Sequence, residues 1–441
     1  MAPFELRQVR QSLRESGLAV LDQSAVSLAS FAMTLVLGRV AGPAELALYA
    51  LALTLLLMMT AVQDSLVSTP YAIYASRLHG ADRAEYAGCS LVFCAGLSLG
   101  TTALLVSGGT LVLAGLGPTG LGRILLVAAA IAPGLVLREF GRRASAADLR
   151  VGAALALDLA VGVVQAAGLV WLASRGSLTA ANALAAVGAA NAAGALVWLT
   201  AWHAGGRIRI RRERLAQAWR QHWALGRWIG ASRIVGHLGS DVLLLWLLTF
   251  MLGASSAGAF AACLMIAFLT NPFVLGVALF LTPKIAATVA AGGVRAAVRY
   301  AAGATVALGL PMAVFVATVA IAGERLIDAF YGPAYTGLGP PATAVALAVA
   351  LGALAIGATN ALLALERPVL NLVASLLGLV TMLASAAVLI PGYGVLGAAL
   401  SFCAGNAVQL LARFAMLARI VAANSDRRPA PMEFLRGGET I

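Results

Sequence analysis

The chain has 441 residues, 61% of them hydrophobic and only 11% charged, and its mean hydropathy is +0.92. Soluble domains carry about 25% charged residues, so a water-exposed fold is excluded and the bilayer is the expected solvent. The net charge of +12 would suit a nucleic-acid binder, but its distribution along the chain argues for a membrane topology signal instead.

The apolar runs predict about twelve helices, each long enough to cross a bilayer. They cover residues 18–40, 44–67, 87–113, 121–137, 151–173 and 179–202, then 229–252, 257–281, 296–322, 341–365, 369–389 and 395–419. Turn residues separate them, at Gly42-Pro43, Gly117-Pro118, Arg175-Gly176, Gly253, Gly337, Pro368 and Pro391-Gly392. This divides the chain into an N-terminal segment (1–17), a six-helix lobe (18–202), a basic amphipathic linker (203–228), a second six-helix lobe (229–421) and a polar tail (422–441). The linker sequence carries Trp219 and Trp223 four residues apart, on one face of a surface helix. The run that follows Arg7, Arg10 and Arg14 is long enough to span, so it reads as an uncleaved first helix.

Lysine and arginine orient these helices. Of the 30 in the chain, 26 fall on the side of the N-terminus and only Arg39, Arg123, Arg175 and Arg325 fall on the other. That asymmetry over short loops places both termini in the cytoplasm.

A repeat joins the halves. Gly42-Pro43 through Ala50 aligns with Gly253-Ala254 through Ala261, Pro70 with Pro283, and Arg150 with Arg367. An even number of helices separates the mates, so the halves insert in parallel, with a binding site expected between them.

Several chemistries have no support in the sequence. There is no phosphate-binding G-x-x-x-x-G-K-[ST] loop, no HExxH, and no cysteine or histidine cluster with metal spacing. Cys89, Cys94, Cys263 and Cys403 lie in apolar runs and read as packing residues. No cofactor is expected. The segment Gly80-Ala81-Asp82-Arg83 lacks the spacing of the major-facilitator loop motif. Short outer loops argue against a membrane enzyme of polysaccharide assembly and for a transporter.

The first hairpin, from Leu21 to Pro70, carries Asp22-Gln23, Ser27, Phe31, Arg39, Gly42-Pro43 and Tyr49-Ala50. It resembles the start of bacterial Wzx-like polysaccharide flippases, a branch of the multidrug/oligosaccharidyl-lipid/polysaccharide (MOP) exporter superfamily. One departure is that Ala47 stands where glycine is common after the turn. The resemblance implies an all-α integral membrane fold with its two six-helix lobes in a V around a central cleft. It also implies movement of undecaprenyl-pyrophosphate-linked oligosaccharide across the inner membrane, with membrane lipids and a polysaccharide polymerase or other assembly proteins as partners. The alternative is an ion-coupled multidrug exporter of the same superfamily.

Charges inside the hydrocarbon are costly, so each is a candidate for function. On helix seven Arg233, His237 and Asp241, at i, i+4 and i+8, predict one polar stripe facing the cleft, with the basic pair toward pyrophosphate. The competing reading is a self-neutralising structural pair. Asp22 and Gln23, with Ser27, Ser30 and Thr34, make a polar seam on helix one, and Asp64 with Thr60 and Ser68 makes another on helix two. Both seams suit either the cavity or interhelical packing. Asp158 and Gln165 share a face of helix five, which favours an interhelical hydrogen bond. Arg39, on the outer side, either snorkels to headgroups or grips pyrophosphate on release.

Overall fold

The structure is a computed structural model that describes residues 31–425 apart from 119, 149 and 239. All regular structure among the described residues is helical. In chain order the helices are α1 (Phe31–Ala41), α2 (Pro43–Ala75), α3 (Gly80–Leu113), α4 (Leu121–Ala147), α5 (Val151–Ser174) and α6 (Ala180–Ala204). They continue as α7 (Arg212–Leu238), α8 (Val242–Leu252), α9 (Ala254–Ala278), α10 (Ala291–Tyr331), α11 (Gly339–Ala364) and α12 (Pro368–Ser425).

Nine of the described helices are long and apolar enough to cross a membrane, and α7 with α8 makes a tenth, bent by 47° at its break. The protein is a multi-pass membrane protein. Helix α12 is too long for one crossing, since its 58 residues would run about 87 Å against a hydrocarbon core of about 30 Å. It reverses at Gly394, whose φ of 57° favours glycine. Beyond that turn Gly405 lies against Gly378, and Arg413 reaches the Ser375 hydroxyl at 3.1 Å, so the two arms run antiparallel. A second reversal at Gly293 (φ 66°) lays residues 273–281 beside 299–308.

Small residues set the helix spacing, as expected where lipid removes any hydrophobic drive between helices. A Cβ on Gly258 of α9 would lie 1.8 Å from the Pro43 carbonyl oxygen of α2. It is a close approach of the two helices that the sequence repeat pairs. The turns before them match in backbone as well: Gly42 has φ 87° and ψ 178°, Gly253 φ 89° and ψ 169°. That region is almost confined to glycine. Both turns therefore lie at one end of the molecule, opposite the arginine-rich end.

The linker departs from expectation. No break occurs at residue 228; α7 runs unbroken from Arg212 to Leu238. It is docked rather than free on a surface, with His222 fully buried and Ala218 4% exposed, while Trp219 and Trp223 stack on each other at 5.9 Å. Ion pairs hold it: Arg214 meets Asp82 at 2.7 Å and Glu85 at 3.0 Å, and Arg211 meets Glu85 at 3.4 Å. These partners explain why α3 starts at Gly80 and not at residue 87, because its polar first turns face the linker.

Candidate functional site

The described residues place a polar cluster where α2, α4, α5 and α7 meet. Its first component is a local change of helix type. Residues Asp64–Ser68 of α2 form a π turn, in which the Thr69 N–H donates to the Asp64 carbonyl five residues back. Such bulges free carbonyls and turn side chains out of register. The Leu66 carbonyl faces His222 Nδ1 of α7 at 2.9 Å, with His222 Nε2 3.4 Å from the Ser90 hydroxyl of α3. Gly226 allows the approach, since a Cβ there would sit 2.7 Å from the Ser65 carbonyl oxygen. The Gln63 amide donates to the Ser68 hydroxyl at 2.7 Å.

Asp64, 4% exposed, is the hub. One carboxylate oxygen lies 2.6 Å from Arg233 of α7, the other 3.3 Å from Arg143 of α4. Arg143 also meets Glu139 at 3.3 Å, and Arg142 meets Glu139 at 2.6 Å. Arg138 pairs with the buried Asp158 of α5, and Arg142 lies 3.9 Å from the same carboxylate. Four guanidiniums thus surround three carboxylates, leaving one net positive charge. The acids are enclosed, with side-chain exposures of 5, 14 and 2%, whereas Arg143 and Arg233 stay 45 and 44% exposed. Counting helical rise, Asp64 lies about 32 Å from the start of α2 and Arg143 about 33 Å from the start of α4. Both depths fall near the basic-end boundary of a hydrocarbon core about 30 Å thick.

The residues singled out in the sequence separate into different places. Arg233 and Asp64 come together. Asp64 does so without Thr60 or Ser68, because Thr60 bonds its own helix at Leu57 and Ser68 accepts from Gln63. The expected straight stripe on helix seven is corrected: the 47° break falls between His237 and Asp241. Gly236 weakens the helix there, and the Ser240 hydroxyl donates to the His237 carbonyl at 2.6 Å. Asp241 starts α8, about 17 Å from the Gly253 turn. No cation lies within salt-bridge distance of it among the described residues; its neighbours are His237 and Ser240.

Arg39 lies at the other end of the molecule. Its guanidinium donates to the Ala329 carbonyl and, at 3.2 Å, to that of Phe330, in the last turn of α10. Cations suit that position because the terminal carbonyls have no partner in the helix. Tyr335 adds a hydroxyl bond to the Gly38 carbonyl at 3.2 Å. The expected role for Arg39 at a headgroup or pyrophosphate is thus set beside an observed capping role. Asp22 and Gln23 lie outside the described residues. Arg138, Arg142 and Arg143 enter the sequence reading only among the 26 topology charges and Glu139 not at all, although Arg-Glu-x-x-Arg-Arg on one helix is itself a pairing pattern.

No protein-family model matches the chain, and no curated protein matches it. Solved structures do. A multidrug resistance MATE family transporter of the MOP superfamily, in an inward-facing conformation, superposes with a TM-score of 0.75 at 15% identity, over 91% of this chain and 96% of that one. The chain has the fold of that transporter. An outward-facing MATE family transporter gives 0.64 at 14% identity, over 94% and 96% of the two chains. A MOP superfamily transporter from Pyrococcus furiosus gives 0.65 at 14% identity over 94% and 96%. Its binding pocket is described as having reverse polarity, suggesting a different function.

Proposed function

We propose that this chain is a secondary transporter that moves a lipid-linked oligosaccharide, carried on undecaprenyl pyrophosphate, across the bacterial inner membrane by alternating access. It acts in polysaccharide biosynthesis, is not an enzyme, and keeps both termini in the cytoplasm. The observation that carries the reading is the charge of the Asp64 cluster. Each of its acids is already matched by arginine, and the two most exposed groups are guanidiniums. Such a site favours a phosphate-bearing ligand and opposes a cation, because planar guanidiniums bind phosphate oxygens in pairs of hydrogen bonds.

The better superposition on the inward-facing structure supports an inward-open state. So does the tight contact of α2 with α9 beside Gly42, together with the Arg39 and Tyr335 bonds, which close the end assigned to the outside.

A second reading, ion-coupled multidrug export, is favoured by one observation: Asp241, at mid-depth, has no arginine against it among the described residues. Intramembrane carboxylates of this kind serve proton or cation coupling in transporters.

The deciding experiment is reconstitution of the purified chain in vesicles loaded with a fluorescent pyrophosphate-linked glycolipid. Leaflet exchange that depends on the protein supports the proposal. Efflux of a lipophilic cation, with no glycolipid exchange, overturns it.

A further inference from the structure

A second arginine-lined space, bordered by none of the residues of the Asp64 cluster, lies at the basic end of α5 and α6. It holds about 440 Å³ and is bordered by Arg83, Arg150 and Arg207, with Asp148 the only acid, beside Tyr71 and Trp202. Arg83 pairs with Asp148, and Arg207 lies 3.4 Å from the same carboxylate. Arg150 makes no ion pair among the described residues. Three cations face one anion, so the space carries a surplus of two positive charges.

An apolar groove of about 450 Å³ opens from it, and Arg150 and Trp202 line both spaces. One wall is Ala153, Leu157, Ala160 and Val164 of α5, at i, i+4, i+7 and i+11; the other includes Ala193 and Val197 of α6. Small side chains on both walls leave the space between the helices unfilled. From Arg150 to Val164 the groove runs about 21 Å along α5, longer than the roughly 15 Å depth of one hydrocarbon leaflet.

Trp202 gives an independent sign of a ligand. It is 3% exposed, yet its indole N–H has no hydrogen-bond partner among the described residues. A buried donor left unpaired is costly, and a phosphate oxygen at the junction of the two spaces would satisfy it.

We propose that this composite pocket binds one anionic phospholipid, its phosphate held by Arg150, Arg207 and the Trp202 N–H and one acyl chain lying in the α5–α6 groove. The charge surplus selects an anionic headgroup, and the groove selects a lipid over free phosphate. The site lies outside the polar cluster assigned to transport, and its test reads binding alone.

The test is native mass spectrometry of the full chain released from phosphatidylglycerol or phosphatidylcholine nanodiscs. Retained phosphatidylglycerol is expected on the wild type, with little phosphatidylcholine. Arg150→Gln should lower retention about fivefold, the effect of removing one basic residue at an anionic surface. Because Arg150 is unpaired, this variant should remain folded by gel filtration. Ala193→Phe, which fills the groove without altering charge, should lower retention of the same lipid while Arg150→Lys keeps it. Equal retention of the two lipids, wild-type retention by Arg150→Gln and Ala193→Phe, full competition by glycerol phosphate, or displacement by an undecaprenyl phosphate probe would each overturn the proposal.

Discussion

Asp64 and Arg233 join α2 to α7 through a 2.6 Å ion pair in which the acid is enclosed and the arginine is half open to its surroundings. The same carboxylate holds Arg143 of α4, so its loss and the loss of Arg233 are not equivalent. Asp64→Ala would leave Arg233 without its carboxylate partner and Arg143 with Glu139 alone. Arg233→Ala would leave the carboxylate still paired with Arg143. Breaking a buried pair costs about 3–5 kcal/mol, and the half-exposure of both arginines reduces that to about 1–3 kcal/mol here. The expected order of thermal stability is wild type, then Arg233→Ala, then Asp64→Ala. Equal melting points for the two variants in one detergent would show that Asp64 is not shared.

Hydropathy made the apolar helices legible in the sequence, because in lipid a spanning segment must satisfy its own backbone and so be long, helical and apolar. The Gly42 and Gly253 turns were legible for the same reason that they match in structure: only glycine holds that backbone. The break in helix seven was also written in the sequence, as Gly239-Ser240-Asp241 following Gly236, but reading i, i+4 and i+8 as one stripe assumed a straight helix. Other features had no local signature. The π turn at Asp64 depends on α7 bringing His222 to the freed carbonyl. Asp158 does bond across helices, as its place on a polar face suggests, but nothing in the sequence names Arg138 of α4 as its partner. Periodicity places residues on a face without saying what meets them.

His222 offers a test of the π turn itself. Its Nδ1 partners the Leu66 carbonyl, and the ring is fully buried between Tyr86 and Phe93, with centroids 5.3 and 5.2 Å away. His222→Leu keeps most of the packing but leaves that carbonyl unpaired, a loss of about 1–3 kcal/mol. His222→Asn retains an N–H donor close to the position of Nδ1 and should recover part of the loss. Hydrogen exchange of the α2 amides around residue 66 reads the effect directly. Identical protection in His222→Leu and wild type would dissociate the histidine from the bulge.

At the opposite end, Gly258→Ala puts a Cβ into the Pro43 carbonyl, a backbone atom that cannot rotate away. The helices must separate there. If alternating access opens this end, the variant should populate the outward-open state more than wild type does. Spin labels on α2 and α9 near residues 46 and 257 should show a longer distance in Gly258→Ala than in wild type. An unchanged distance in a folded variant would mean that the α2–α9 contact does not govern which end is closed.

The last prediction separates the two substrate classes by charge. Arg143 and Arg233 are the accessible guanidiniums of the cluster, and hydrogen bonds to charged groups contribute about 1.5–3 kcal/mol each. On the lipid-linked oligosaccharide reading, Arg143→Gln should weaken exchange of a pyrophosphate-linked glycolipid by roughly tenfold or more. Arg233→Gln should do the same, with Arg233→Lys intermediate, because lysine keeps the charge but not the fork of donors. Asp241→Asn should leave exchange of that anionic substrate nearly intact. His237→Ala should lower it less than Arg233→Gln, since Arg233 pairs with Asp64 and His237 makes no ion pair with the cluster among the described residues. On the cation-export reading the ranking inverts. Asp241→Asn abolishes transport, and the arginine variants leave it unchanged or faster, because removing positive charge favours a cation. Assaying the same five variants in vesicles at matched protein levels, with an anionic glycolipid and with a lipophilic cation, therefore tests the site and the substrate class together. Loss of glycolipid exchange in Asp241→Asn with none in Arg233→Gln would refute the assignment of the Asp64 cluster to phosphate binding.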